Sequence, residues 1–100
     1  MLTIEKKTED DKVTITLDGR LDVSTAPQLA ETLQKSLDRT TELVFDLEKL
    51  EYISSAGLRI LMTAQKAMMA CGGKMTVAHP NPTVQSVFDI TGMSSIFTIV

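Results

Sequence analysis

Apolar and polar residues alternate along the first twenty positions of the chain. The alternation occurs in two series separated by the polar run 8–12, with apolar positions at Leu2 and Ile4 and then at Val13, Ile15 and Leu17. A period of two is typical of strands that bury one face, so the pattern predicts two antiparallel strands. We expect the second strand to end in a turn at Asp18-Gly19.

A period of three to four residues follows and predicts a first helix. Its apolar positions form a single stripe, made of Ala26, Leu29, Ala30, Leu33 and Leu37. Its polar outer face consists of Glu31, Gln34, Lys35 and Asp38. Thr25 precedes the stripe and Gln28 follows three residues later, which is the spacing of a capping box. We therefore expect an amphipathic helix that begins after Thr25 and lies on the sheet.

The segment Leu43 to Leu47 is a short apolar run with one acid. Such a run is typical of a central strand covered on both faces. An exposed loop should follow, and then a second helix that begins near Ser54 and stops at Gly72-Gly73. The apolar residues of this helix fall on two arcs, with Leu58, Leu61, Met62, Met68 and Met69 on one and Ile60, Ala64, Ala67 and Cys71 on the other.

The last quarter of the chain predicts a strand, a short helix and a final strand. Residues 75–78 form the first strand, and Asn81-Pro82 supplies an N-cap and a first-turn proline for the helix. Gly92 closes that helix, whose apolar positions are Val84, Val87, Phe88 and Ile90. The β-rich segment 96–100 predicts an edge strand. We expect one α/β domain over residues 1–100, with helices packed on a single-layer mixed sheet of about five strands.

Composition and charge argue against nucleic-acid binding and against membrane insertion. The chain has 100 residues, of which 43% are hydrophobic and 23% charged, and its net charge is −3. These values are typical of a soluble globular domain, and the positive residues form no stripe, so we expect no nucleic-acid partner. No apolar stretch reaches the roughly 18 residues of a membrane helix, and the start does not resemble a signal peptide. We expect a cytoplasmic protein without membrane insertion.

The chain also lacks the usual combinations of catalytic residues. One cysteine, Cys71, and one histidine, His79, are too few for an internal disulfide or a Cys/His metal cluster. We interpret His79 as a turn residue, because it stands in His-Pro-Asn-Pro. Cys71 and the methionines are interpreted as core filler. Because nothing else pairs a base with a nucleophile, we expect neither an enzyme nor a cofactor.

Candidate chemistry concentrates where the predicted loop leads onto the second helix. Ser54 and Ser55 stand at that helix N-terminus, where free N–H groups and the helix dipole favour a negative charge, so a phosphate on either hydroxyl would be tolerated. Serine is also a common helix cap. Gly57 either admits the backbone of another molecule or allows the helix to pack closely on a strand. The residues alone leave these alternatives open.

Asp22 follows the second strand and precedes the first helix. An acid before Ser-Thr is usually a cap or turn residue. It gains functional interest if its turn lies beside the Ser55 turn. In an open α/β sheet, the loops at the carboxyl ends of parallel strands gather at one edge, where ligands bind. The role of Tyr52 stays unassigned at this stage.

Two segments of the chain resemble the STAS domain family (sulfate transporter and anti-sigma factor antagonist), and specifically its free-standing bacterial anti-sigma factor antagonists. Residues 17–27 look like the family's strand-to-first-helix segment, and residues 44–47 with 52–59 look like its phosphorylation-site segment. In the family this site is often Asp-Ser-Ser-Gly-Leu, and the phosphoacceptor stands two residues before the glycine. The matching acceptor is Ser55, with Ser54 as the less favoured alternative. The resemblance covers nearly the whole chain.

The resemblance implies a partner-switching cycle. The unphosphorylated antagonist binds an anti-sigma factor that is also a GHKL-type serine kinase, and the sigma factor is freed. The kinase phosphorylates the serine with ATP and the complex separates, after which a PP2C-type phosphatase restores the active form. We expect the partner-binding residues at one end of the sheet, namely Asp22, Ser24, Thr25, Ser54, Ala56, Gly57 and Arg59. The family also contains docking subunits of lipid-transport ABC complexes and other unphosphorylated interaction modules, and this alternative stays open.

Overall fold

The computed structural model describes residues 1–36 and 40–100. Within them, six strands and three α-helices follow one another in a largely alternating order after an opening hairpin. The strands are β1 (Leu2–Glu9), β2 (Lys12–Leu21), β3 (Glu42–Asp46), β4 (Leu50–Ile53), β5 (Lys74–Ala78) and β6 (Thr98–Ile99). The helices are α1 (Ala26–Ser36), α2 (Ser55–Ala70) and α3 (Pro82–Thr91), and a 3₁₀ turn spans Met93–Ser95. The predicted α/β class with a mixed sheet is confirmed.

The sheet has the order β1-β2-β3-β5-β6, and β4 pairs with the last part of β2. β1 runs antiparallel to β2, while every other pairing in the described residues is parallel. The predicted opening hairpin is therefore confirmed. β3 lies between β2 and β5, as expected for a central strand.

The predicted turn at Asp18-Gly19 is wrong, because β2 continues through these residues to Leu21. The register of its pairing with β4 shifts between Gly19 and Arg20, which is a bulge in a continuous strand. Gly19 has a φ of 115°, and a Cβ at this position would lie 2.3 Å from the carbonyl oxygen of Met1. Only glycine fits at this position, because the backbone of Met1 lies too close for a Cβ.

The expected exposed loop after β3 is also wrong, because it contains the strand β4. β2 is ten residues long and has two parallel partners on the same side. β3 pairs with its first half, and β4 pairs with Gly19, Arg20 and Leu21 near its end. The sheet therefore has six strands where the sequence predicts about five, and β4 delivers the chain directly to the start of α2.

One face of the sheet carries the core. Leu43 and Phe45 of β3 are fully buried, whereas Val44 and Asp46 are half-buried. The same alternation occurs in β2, so the expectation that β3 is covered on both faces is wrong. The helices contribute Leu29, Leu61 and Phe88, among others, to a single apolar cluster with the buried strand residues. Burial of this aliphatic cluster is the main stabilising contribution.

The predicted stripe of α1 is confirmed for Ala26, Leu29 and Leu33, which are buried, and Ala30 is half-buried. Glu31, Gln34 and Lys35 are exposed as expected, while Leu37 and Asp38 lie outside the described residues. The capping box is wrong. The Gln28 amide donates a hydrogen bond to the carbonyl of Leu2 at 3.2 Å, and the Thr25 hydroxyl bonds elsewhere, as described below.

α2 ends where the sequence predicts, with Cys71 as its C-cap and Gly72 at a φ of 76°. Its buried face carries the residues Gly57, Leu58, Leu61, Ala64 and Met68. The second apolar arc is only partly right, because Cys71 is exposed and does not fill the core. Met69, which the sequence places on the first arc, has 68% of its surface exposed.

α3 begins and ends at the predicted residues. The Asn81 side chain accepts a hydrogen bond from the Val84 N–H at 2.8 Å and donates one to the Leu50 carbonyl at 2.9 Å, so the cap also ties α3 to β4. Gly92 ends the helix in the left-handed conformation. His79 is an exposed turn residue with a φ of 57°, as predicted. The predicted edge strand is confirmed as β6, although it is only two residues long.

None of the helices in residues 1–36 and 40–100 has the length and apolar character needed to cross a lipid bilayer.

Candidate functional site

Two neighbouring strands bring the predicted site residues to one edge of the sheet. β2 and β4 are parallel, and Leu21 pairs with Ile53 at their carboxyl ends. The N–H of Ser54 donates a hydrogen bond to the Leu21 carbonyl at 2.9 Å. The turn 22–25 and the segment 54–59 therefore start side by side, and we call these two segments the acceptor edge. The predicted placement of both segments at one end of the sheet is confirmed.

The two serines at the start of α2 have different structural roles. Ser54 is the N-cap, with extended backbone, and its hydroxyl oxygen accepts a hydrogen bond from the N–H of Gly57 at 3.4 Å. Its carbonyl accepts the helix bond from the Leu58 N–H at 2.9 Å. Ser55 is the first residue of α2, its side chain is exposed, and the cap does not use its hydroxyl. Ser55 therefore offers the accessible hydroxyl.

The electrostatic surroundings of Ser55 favour an added negative charge. The first turn of α2 contains no acidic residue, and the positive end of the helix dipole lies there. Arg59 is exposed one turn further along, at the spacing at which helix side chains are neighbours. A phosphate on Ser55 would meet the dipole and this guanidinium within the chain itself.

Asp22 organises the other half of the acceptor edge. One of its carboxylate oxygens accepts hydrogen bonds from the Ser24 hydroxyl at 2.7 Å, the Ser24 N–H at 2.9 Å and the Thr25 N–H at 3.2 Å. These bonds, first of all the one from the Ser24 hydroxyl, hold the pKa of Asp22 below its usual value. Asp22 is therefore a carboxylate near neutral pH.

Thr25 stabilises the same turn with a buried side chain. Its hydroxyl accepts a hydrogen bond from the Asp22 N–H and donates one to the Arg20 carbonyl, both at 2.9 Å. The residue has only 7% of its surface exposed. Thr25 therefore holds the turn and offers almost no surface. Its contact with a partner stays a prediction.

Gly57 is also buried, and the structure decides between the two interpretations of this residue. A Cβ here would lie 2.7 Å from the Cγ of Leu21 and 2.9 Å from the Cγ1 of Ile53. The missing side chain lets α2 pack closely on the ends of β2 and β4. Of the two interpretations, close packing of the helix on a strand is confirmed. A contact of Gly57 with a partner stays a prediction.

The other predicted partner-binding residues are accessible to different degrees. Ser24 and Arg59 are exposed, whereas Asp22, Ser54 and Ala56 are half-buried. All of them lie on the acceptor edge. Whether they contact a partner stays a prediction.

Sequence reasoning missed one exposed residue of the acceptor edge and one pair beside it. Val23 has 75% of its surface exposed, although it is apolar. One signal was available, because an acid before Ser-Thr marks a turn, and turn residues lie at the surface. The guanidinium of Arg20 lies 4.7 Å from the ring centre of Tyr52, an arrangement that depends on the pairing of β2 with the unpredicted β4.

Within the part of the chain that the structure describes, no three His, Cys, Asp or Glu side chains are grouped closely enough to hold a metal ion.

The sequence pattern that defines STAS domains matches residues 3–100. The chain belongs to the STAS domain family. Two relatives extend the match. BtrV of Bordetella bronchiseptica, a candidate anti-sigma factor antagonist, is 36% identical over 84 residues, which cover 83% of this chain and 72% of BtrV. The anti-sigma-B factor antagonist of Staphylococcus aureus is 28% identical over 99 residues, which cover 98% of this chain and 92% of that protein.

Solved structures share the fold of this STAS domain. The anti-sigma factor antagonist SpoIIAA in its unphosphorylated form superposes with a TM-score of 0.84 at 22% identity, over 100% of this chain and 88% of SpoIIAA. The Bacillus cell-fate determinant SpoIIAA in its phosphorylated form gives a TM-score of 0.76 at 20% identity, over 100% of this chain and 91% of the other. At these identities the likeness concerns the fold alone.

Proposed function

We propose that this STAS domain is an anti-sigma factor antagonist that acts by partner switching, with Ser55 as its phosphoacceptor. The observation that carries the proposal is the division of roles at the start of α2. The Ser54 hydroxyl caps the helix, and the neighbouring Ser55 hydroxyl is exposed on the first turn. The family and the names of the relatives support the same function.

In this proposal the unphosphorylated protein binds an anti-sigma factor that is also a GHKL-type serine kinase, through the acceptor edge. The kinase transfers the γ-phosphoryl group of ATP to the Ser55 oxygen, which loses its proton, and ADP leaves. A PP2C-type phosphatase hydrolyses the phosphoester and restores the binding form. The protein itself is a substrate and a binding module in the cytoplasm, and it catalyses no step.

The arrangement at Ser55 gives a physical reason for release. A phosphate adds about 1.5 to 2 negative charges, and at a helix N-terminus it is stabilised by roughly 0.3 to 1 kcal/mol. The fold therefore accepts it. In the complex the same group must lose water against a surface shaped for a neutral hydroxyl, which costs on the order of several kcal/mol. Binding is lost although the domain stays folded.

The geometry favours Ser55 over Ser54 as the acceptor. Ser54 is half-buried, and its hydroxyl oxygen is engaged with the N–H of Gly57. Phosphorylation of Ser54 would require this cap to open, and loss of a serine cap costs about 1 kcal/mol. The exposed Ser55 hydroxyl can enter a kinase active site without that loss.

The test is phosphorylation by the purified GHKL-type anti-sigma factor kinase of the same genome with ATP. Mass spectrometry should find a single added phosphate on Ser55 in the parent chain. Ser55→Ala should abolish it, whereas the matched control Ser54→Ala should keep it despite a stability loss of about 1 kcal/mol. Labelling that survives in Ser55→Ala and disappears in Ser54→Ala would assign the other hydroxyl. A parent chain that takes no phosphate at either serine would contradict the proposal and favour an unphosphorylated docking module.

A further inference from the structure

One oxygen of the Asp22 carboxylate is directed into its own turn. This oxygen accepts the three hydrogen bonds from the Ser24 hydroxyl, the Ser24 N–H and the Thr25 N–H. The backbone N–H of Asp22 is in turn bonded to the Thr25 hydroxyl, which also reaches the Arg20 carbonyl. Hydrogen bonds thus hold the turn at both ends. Thr25, which is almost fully buried, connects it to Arg20 of β2.

This fixed turn exposes Val23. Within the described residues, the large apolar side chains with high exposure are Met1, Val23, Met69, Ile90, Ile96 and Val100. Val23 is the one member of this group that lies on the acceptor edge. A single exposed apolar residue is ordinary on a protein surface. Here it lies on a hydrogen-bonded turn that follows Leu21 of β2, and the Leu21 carbonyl accepts a hydrogen bond from the N–H of Ser54, the neighbour of Ser55.

Building on the proposed function, we infer that Asp22 is a positioning residue that fixes the turn. The turn presents the side chain of Val23 to the anti-sigma factor. The matching partner surface is an apolar pocket beside the groove that receives Ser55. A side chain held in place before binding loses little conformational entropy in the complex, so a small apolar contact can contribute strongly. This role differs from a charge contact, in which the second carboxylate oxygen of Asp22 would pair with a basic group of the partner.

Two Asp22 variants separate positioning from charge. Asp22→Asn keeps an oxygen that can accept the Ser24 and Thr25 N–H bonds but has no charge, whereas Asp22→Ala has neither. We expect the unphosphorylated Asn variant to bind the anti-sigma factor kinase within about twofold of the parent, and the Ala variant to bind about tenfold more weakly. An Asn variant that loses as much affinity as the Ala variant would show that the charge contacts the partner, and would overturn the positioning role.

Val23→Thr tests the presented side chain, because threonine has nearly the shape of valine but carries a hydroxyl in place of one methyl group. We expect its affinity for the same kinase to fall about tenfold, since the hydroxyl must be desolvated in an apolar pocket. Val100→Thr is the matched control, because Val100 is 68% exposed and lies at the end of the chain, beyond β6. It should bind as the parent does. Parent-like affinity of Val23→Thr would overturn the role of Val23.

A measurement on the protein alone keeps this inference separate from the proposed function. Amide hydrogen exchange at Ser24 and Thr25 should be as slow in Asp22→Asn as in the parent, and faster in Asp22→Ala. Equal exchange in all three would refute the positioning role whether or not a kinase binds. A parent chain that neither binds the kinase nor accepts phosphate would overturn the proposed function, and the role of Val23 with it.

Discussion

Replacing Gly57 with alanine should disturb both the fold and the acceptor edge. A Cβ at this position would lie 2.7 Å from the Cγ of Leu21, and 2.9 Å from Leu21 Cδ2 and from Ile53 Cγ1. Both neighbours are among the fully buried side chains, with 0% and 1% of their surface exposed. Something must shift, and because neither side chain can move out to solvent, we expect the first turn of α2 to lift away from β2 and β4.

Two opposing contributions set the size of the effect. Alanine is a better helix residue than glycine, which favours the variant by about 1 kcal/mol. Overpacking of a well-packed core costs typically about 1 to 3 kcal/mol, and three contacts under 3 Å to immobile neighbours place this site in the upper part of that range. The free energy of unfolding should therefore fall by about 1 to 2 kcal/mol. For a chain of this size, that lowers the Tm by roughly 5 to 15 °C.

Urea unfolding and the rate of Ser55 phosphorylation should be measured together, with Gly72→Ala as the control. Gly72 follows the other end of α2 at a φ of 76°, and a Cβ there would meet nothing within 4 Å. Its replacement costs about 1 to 2 kcal/mol through backbone strain alone, so both variants should be destabilised. Only Gly57→Ala should slow phosphorylation, by roughly tenfold, because it displaces the acceptor. A Gly57→Ala chain as stable and as rapidly phosphorylated as the parent would refute the packing argument.

Two further predictions concern stability. Asn81→Ala should lower the free energy of unfolding by about 1 to 2 kcal/mol, because it removes the α3 cap and the hydrogen bond to the Leu50 carbonyl. Urea titration measures this change. An unchanged midpoint of urea unfolding would contradict the link between α3 and β4. Hydrogen bonds, chiefly from Ser24 and Ser94 respectively, lower the pKa of Asp22 and of Asp89 in the folded state. Both carboxylates therefore stabilise the fold when the pH is above their pKa in the unfolded chain, about 3.9. This contribution is lost as the pH falls through their lower pKa in the folded state. The double variant Asp22→Asn, Asp89→Asn should show a smaller loss of stability below about pH 4 than the parent, and an equal loss would exclude these two groups as the cause.

Local sequence patterns, each extending over a few residues, predicted much of this fold. The period-two series of β2, the apolar stripe of α1, the Asn81 cap and the glycine stop at Gly72 each depend on neighbours within one or two turns of chain. The two site segments could be placed at one edge because parallel strands end together. These parts of the structure follow from local backbone preferences and from which face is buried.

The parts that the sequence did not predict depend on contacts between distant residues. Asp18-Gly19 is a local turn signal, but the pairing of β2 with β4 makes it a bulge in a continuous strand. β4 is four residues long with charged neighbours, so its pairing with the end of β2 decides its structure. The residues alone left two interpretations of Gly57 open, and only the positions of Leu21 and Ile53 decide for close packing. Val23 is exposed in a turn that the side-chain bonds of Asp22 hold, and hydropathy patterns do not reveal such bonds.

Partner switching is tested most directly by comparing the unphosphorylated and the Ser55-phosphorylated protein in two measurements, thermal melting and affinity for the anti-sigma factor kinase. The account predicts that the Tm stays the same or rises with phosphate, because the start of α2 stabilises the charge, while the affinity falls at least about tenfold. Equal affinity of the two forms would contradict the switch. A phosphorylated form that melts far earlier, or loses amide protection throughout the domain, would show that release comes from unfolding rather than from local charge.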